Sequence, residues 1–240
     1  MWVKTGCQLL RSGTDILAGN DILNFFLNKN HFTRGDTMAD KQTITIYDQN
    51  ITTYKKMVDK LPDIEPLNAF IDALQAGAYV LDWGSGPGYL AAEMRARGLR
   101  PLCVDASRKM VEAARNDYQL DAKQAEFSQL NENQIYDGIW ANFSLLHVER
   151  AAFVSHISAA ATALVPSGVF YVSVKLGKGQ ERDELGRFYS YFGQDELEEM
   201  LGQSGFEIID IFTGKSKGLA GKLEKWIGIL AKVPAKFTPK

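Results

Sequence analysis

Short apolar runs alternate with stretches of helix length over about 150 residues of this chain, and that alternation constrains the fold more than any other feature. The runs AYVLDWG, RPLCVDAS, YDGIWANFSLL and GVFYVSVKLG read as buried strands. Each is followed by a helical stretch: GYLAAEMRARG with Gly98 as its stop, SRKMVEAARNDY capped by Ser107, ERAAFVSHISAAATALV, and GQDELEEMLGQSGF. Parallel strands need long crossovers, and helical crossovers between them are right-handed, so the pattern implies a parallel sheet covered by helices. The last two runs, EIIDIFT and KWIGILAKV, are separated only by residues 214–223, which lack helical periodicity, and are expected to pair antiparallel. Upstream, DQNITTYKKMVDKL predicts a helix with Asp48 as its N-cap, and PLNAFIDALQAG a second from Pro66 to Gly77. The expected fold is α/β: a doubly wound, mostly parallel sheet with an antiparallel C-terminal hairpin and helices on both faces.

The segment VLDWGSGPGYLAAEM carries the most chemistry. Asp82 ends a strand, Gly84, Gly86 and Gly88 fill the turn, and a helix starts near Gly88. Glycines let a ligand approach the backbone, and the helix N-terminus offers free N–H groups. A tight turn without a ligand has the same signature. Asp105, at the end of the next strand and 21 residues after Gly84, tips the balance, because a carboxylate there can hold a ribose diol. The glycine spacing is G-x-G-x-G rather than the dinucleotide G-x-G-x-x-G, and Asp82 would repel a pyrophosphate. S-adenosylmethionine, cationic and without phosphate, suits the turn better than a nicotinamide dinucleotide.

VLDWGSGPG, the following Asp105, AEF at residues 125–127 and YDGIWANFSLLHV at residues 136–148 together resemble the class I S-adenosylmethionine-dependent methyltransferases, which implies a Rossmann-like, seven-stranded, mostly parallel sheet. The resemblance runs from about Tyr47 to Val233. It is closest to small bacterial members with LLHV after the fourth strand and a GRFYSYF-like segment after the fifth. It implies that Gly84, Ser85, Gly86 and Gly88 wrap the methionine part of the cofactor and that Asp82 holds its amino group. It implies further that Asp105 takes the ribose hydroxyls, that Ala106 and Met110 line the adenine face, and that Glu126 and Phe127 meet the adenine edge. Asn142 would sit beside the reactive methyl, and Tyr47 and Tyr54 would cover the cofactor. Trp83 stands where the family has a smaller apolar residue, Ser85 where it often has Cys, and Glu126 where it often has Asp.

Methyl transfer from a sulfonium is a direct displacement that needs alignment and desolvation, and a base only when the acceptor must lose a proton. His147 has the chemistry of such a base, and it could equally order the loop before the Glu149 helix. His156, mid-helix among apolar residues, reads as structural. The stretch from Lys175 to Gly193 holds Lys175, Lys178, Arg182 and Arg187 with Phe188, Tyr189, Tyr191 and Phe192. It reads either as a lid on an anionic or aromatic acceptor, with Lys175, Arg182, Arg187 and Tyr191 as its substrate contacts, or as a charged loop whose rings pack on the sheet.

The 240 residues divide into a leader at 1–37, which includes Cys7 and His31, and a methyltransferase domain at 38–240; Met38 is a plausible true start. A hydrophobic fraction of 45% excludes a disordered chain, and a pI near 6.0 argues against a nucleic-acid binder. Two distant cysteines, with no signal peptide or membrane span, point to the cytoplasm. The charge is uneven: residues 213–240 hold seven lysines and one acid, a tail of +6 on a body of −8. Lysines near Pro234 at a sheet margin would guard an edge strand, and an acidic partner or membrane surface is the other reading. The function expected is methyl transfer to a small molecule with no metal. A non-catalytic cofactor-binding protein, or a protein or RNA acceptor, are the alternatives.

Overall fold

The computed structural model describes residues 40–58 and 65–236. The leader, with Cys7, His31 and Met38, lies outside the described residues.

Helices α1 (Lys41–Gln49) and α2 (Ile51–Val58) come first, then α3 (Glu65–Asp72). The alternating body follows: β1 (Tyr79–Trp83), α4 (Tyr89–Ala96), β2 (Arg100–Asp105), α5 (Arg108–Tyr118), β3 (Asp121–Gln124), β4 (Tyr136–Asn142), α6 (Arg150–Ala163) and β5 (Leu164–Lys175). A short ribbon of β6 (Gln180–Arg182) and β7 (Phe188–Ser190) precedes α7 (Gln194–Gln203). The chain then runs through β8 (Glu207–Lys217) and β9 (Leu223–Lys232). The seven-stranded sheet has the order β3-β2-β1-β4-β5-β9-β8, parallel from β3 to β5, with β9 antiparallel to both of its neighbours. Alternation along the strands sorts the core onto two faces. Val80 and Tyr171 pack with Phe70 of α3 and Met94 of α4, while Leu81 and Val172 pack with Ile157 of α6 and Leu201 of α7. Helices therefore cover both faces.

Several local expectations need correction. Asp48 is not an N-cap. Asp40 caps α1, accepting from the Thr43 N–H at 2.8 Å, and Asp48 inside α1 accepts from the Ser107 hydroxyl, which pins α1 to the start of α5. The predicted single helix is two, divided at Asn50, whose side chain donates back to the Ile46 carbonyl at 2.8 Å. α3 ends at Asp72, short of Gly77. β3, with the sequence DAKQ, has too little apolar character to show a period. Half of residues 214–223, expected as connection, is strand. β9 lies between β5 and β8, so Lys225 and Lys232 do not sit on the sheet edge. On this side the edge is β8, with exposed Lys215 and Lys217.

Candidate active site

The glycine turn joins β1 to α4 at the carboxyl end of the parallel strands, where open α/β sheets bind ligands. The Gly84 N–H donates to the Val104 carbonyl at 2.7 Å and the Ser85 N–H to the same oxygen at 3.1 Å, which stitches the turn to β2. Gly84 has φ +80°, and a Cβ there would meet Ser144 Cβ at 2.2 Å, so both backbone shape and close approach demand glycine. Asp105 closes the turn from β2. Its Oδ2 accepts from the Gly86 N–H at 2.9 Å and its Oδ1 from the Ser107 N–H at 2.8 Å. Burial lifts Asp105 to a pKa of about 6 against the pull of those two bonds.

Asp82 is only 3% exposed, and its Oδ2 has no hydrogen-bond partner. Burial, with the Asp105 charge second, pushes its pKa up to about 8. A buried oxygen left without a partner is costly unless a ligand completes it.

A cavity of about 620 Å³ opens above the turn. It is lined by Tyr47, Tyr54, Gly84, Gly86, Asp105, Ala106, Met110, Phe127, Asn142 and His147, all singled out in the sequence. Asp40, Thr43, Ile44, Phe143 and Ser144 complete the wall. Asp40, Thr43, Ile44 and Tyr47 recur at helical spacing, so the α1 face pointing at the cavity was legible once Tyr47 was placed on it. Four expected contacts are not on this wall. Asp82 lies below it. Ser85 is buried, with its hydroxyl toward the Gly86 carbonyl. Gly88 packs against Ala114 and Leu120. Glu126 opens a 3₁₀ turn and faces a separate hollow with Leu81, Trp83 and Gln129, because Phe127 takes the inward position.

His147 ends a short 3₁₀ turn after β4 and is half-buried. Its Nδ1 lies 2.6 Å from the Phe188 carbonyl, which can only accept, so Nδ1 carries the proton. Nε2 therefore accepts from the Tyr47 hydroxyl at 2.9 Å, and Arg187 Nη1 donates to the same hydroxyl at 2.9 Å. Burial lowers the His147 pKa to about 3, against the Phe188 bond. With both nitrogens engaged, the geometry matches the ordering role rather than that of a free base. His156 is buried against Trp83 and Phe127.

The segment after β5 is neither an open loop nor wholly a substrate wall. The β6–β7 ribbon docks on α1, with the Phe188 N–H donating to Thr43 Oγ1 at 2.9 Å. Arg182 does not reach a cavity. It pairs with Asp40 at 2.8 Å on the surface and holds the start of α1. Tyr191 also lies off both walls, its hydroxyl donating to Glu181 at 2.9 Å. Lys178 is exposed. Arg187, 2% exposed and paired with Asp183 at 2.6 Å, and Lys175, paired with Glu224, line a second cavity of about 740 Å³. The two cavities share Tyr47, Tyr54, Asn142, Phe143 and His147, so they meet there.

A family profile described as "Methyltransferase domain" matches residues 54–211. The chain belongs to the methyltransferase domain family. S-adenosylmethionine is the methyl donor of this methyltransferase, and the first cavity suits it. The turn is glycine-backed, Asp82 beneath it keeps an unpartnered carboxyl oxygen, and the lining charges among the described residues are the carboxylates of Asp40 and Asp105, with no Lys or Arg to meet a phosphate.

Among solved structures, the methyltransferase is similar to the Burkholderia thailandensis 1,6-didemethyltoxoflavin-N1-methyltransferase with bound 1,6-didemethyltoxoflavin and S-adenosylhomocysteine (TM-score 0.64, 19% identity, 93% of each chain covered). It is also similar to Haemonchus contortus phosphoethanolamine N-methyltransferase 2 in complex with S-adenosylmethionine (TM-score 0.63, 16% identity, 85% of this chain and 61% of that one). The [4+2]-cyclase SpnF has the same fold (TM-score 0.65, 18% identity, 82% of this chain and 97% of that one), so fold likeness by itself does not select the chemistry. No curated protein matches the chain by sequence. Among the described residues no helix is long and apolar enough to cross a membrane, and no cluster of His, Cys, Asp and Glu could hold a metal ion.

Proposed function

We propose that the protein methylates a small-molecule acceptor lodged in the second cavity, in the cytoplasm. The observation that carries this is the junction of the two cavities at Asn142, Phe143 and His147, at the carboxyl end of β4. When bound, S-adenosylmethionine supplies a methyl group on a positively charged sulfur. Asp105 would hold the cofactor's ribose hydroxyls, the Gly84–Gly86 backbone would let its methionine part lie close, and Asp82, beneath the wall, would meet its ammonium through a bridging water. Tyr47 and Tyr54 meet edge to face at 5.4 Å on the walls of both cavities, where they would cover a bound cofactor. Asn142 Oδ1 accepts from Ser173 Oγ at 2.8 Å, and Ser173 Oγ in turn accepts from the Phe143 N–H at 2.9 Å. That chain fixes the Asn142 amide at the junction. The structural neighbour from Burkholderia thailandensis, with 1,6-didemethyltoxoflavin and S-adenosylhomocysteine both bound, supports a small-molecule acceptor.

The test is to incubate the protein with S-adenosylmethionine and a library of small molecules and to follow S-adenosylhomocysteine by mass spectrometry. Acceptor-dependent release with a matching methylated product is expected. Tight cofactor binding with release only on protein or RNA additions would overturn the small-molecule acceptor.

A further inference from the structure

Among its described residues, the wall of the second cavity carries more positive than negative charge. Lys175, Arg187 and Lys217 line it against one described carboxylate, Glu224; the acid that pairs with Arg187, Asp183, is not part of the wall. The cofactor cavity has the opposite sign, with Asp40 and Asp105 on its wall. Much of the remaining surface is aromatic: Phe143 and Trp226 meet edge to face at 5.9 Å, and Lys175 Nζ stands 3.6 Å from the centre of the Tyr189 ring. Such a wall favours a flat ring with electron density to offer.

Among its described residues the wall offers no open imidazole or free carboxylate. His147 has both ring nitrogens engaged by Phe188 and Tyr47, and Glu224 is held in an ion pair by Lys175.

Resting on the methyl transfer proposed above, we infer that the acceptor is a flat aromatic anion, an acidic phenol or ring N–H whose nucleophilic atom arrives already deprotonated. The acceptor's lone pair forms the bond to the methyl carbon as the carbon–sulfur bond breaks, with its electron pair left on sulfur. A sulfonium and an anion become a thioether and a neutral methylated arene, and no proton has to be placed. The positive wall attracts the acceptor before transfer and loses that hold on the neutral product. A neutral amine fits neither condition, since its methylation leaves a cation that must shed a proton inside a positive pocket.

The experiment is calorimetry at pH 8 on protein saturated with S-adenosylhomocysteine, comparing para-nitrophenolate with its neutral isostere para-nitroaniline. The phenolate is expected to bind about tenfold more tightly, the effect of one favourable charge in a partly desolvated site. Equal or tighter binding of the aniline overturns the inference. Lys175→Gln and Glu224→Gln add a second reading, because both break the same ion pair while changing the cavity charge in opposite directions. The first is expected to weaken phenolate binding and the second to strengthen it; a shift in the same direction would mean that the pair only supports the wall and would contradict the inference. If S-adenosylhomocysteine binds and neither arene does, the acceptor class is wrong and the methyl transfer stands. If S-adenosylhomocysteine does not bind, the methyl transfer itself fails, and the acceptor class with it.

Discussion

Asp82 holds a carboxyl group at the end of a central strand, 3% exposed, with one oxygen unpartnered. Its pKa of about 8, against 3.8 in the ordinary range, means the folded state keeps a proton that the unfolded chain releases. For an acid shifted in this direction, stability falls as pH rises from about 4 to 8. Asp82→Asn is therefore expected to leave the melting temperature near that of the wild type at pH 5. At pH 8 it should stabilise the ligand-free protein by about 1–3 kcal/mol, the cost of an unsatisfied buried polar group. The same substitution should weaken S-adenosylmethionine binding, which measures whether the stability was given up for the ligand. In the wild type, cofactor affinity is expected to rise between pH 5 and 7.5, with a proton released on binding. Titrations in two buffers of different ionisation enthalpy would show that proton. Gly84→Ala should fail on both counts: its Cβ would collide with Ser144 at 2.2 Å in a left-handed backbone, and a loss of about 1–3 kcal/mol together with lost cofactor binding is expected in melting and titration experiments.

α1 is short, and it is held over the cofactor cavity by side chains rather than by a broad apolar face. Asp40 meets Arg182, Thr43 meets the Phe188 N–H, Tyr47 joins Arg187 to His147, and Asp48 meets Ser107. The exposed Asp40–Arg182 pair is expected to matter least. Arg182→Gln should cost under about 1 kcal/mol in a denaturant melt. Tyr47→Phe removes the hydroxyl that both Arg187 and His147 use, at a depth where loss of a hydrogen bond costs about 1 kcal/mol or more. It should weaken cofactor binding several-fold, by raising the dissociation rate as α1 loosens. Little of this docking was legible in the sequence. Tyr47 and Tyr54 were found through the family resemblance, and Arg182 was read as a substrate contact because a cation among aromatics looks the same whether it meets a ligand or a neighbouring helix. Only the fold brings Asp40, 142 positions away, within reach.

At the scale of the molecule, the alternating pattern carried most of the fold, because parallel strands must be apolar on both faces and their helices cannot hide their period. It failed where that logic lapses. DAKQ is a polar margin strand, and the extension of β8 to Lys217 runs through GKSK, which has no apolar residue to show a strand period. The cofactor side was legible for a related reason: backbone geometry demands glycine at Gly84, and Asp105 stands at a fixed distance along the chain. The acceptor side was not, since its wall gathers residues from β4, β5, β7 and both strands of the hairpin, and no local spacing marks that meeting. The uneven charge is partly resolved by the same assembly, with Lys215 and Lys217 on the edge strand and Lys217 at the cavity wall. The claim on which the rest depends is that the cavity above Gly84 binds S-adenosylmethionine through Asp105. Calorimetric titration of S-adenosylmethionine into the wild type and Asp105→Asn, each first shown to melt cooperatively, tests it directly. One site in the wild type and an affinity about 10–100-fold lower in the variant are expected, as for the loss of charge-assisted hydrogen bonds. No binding by the wild type, or equal binding by the two proteins, would contradict it.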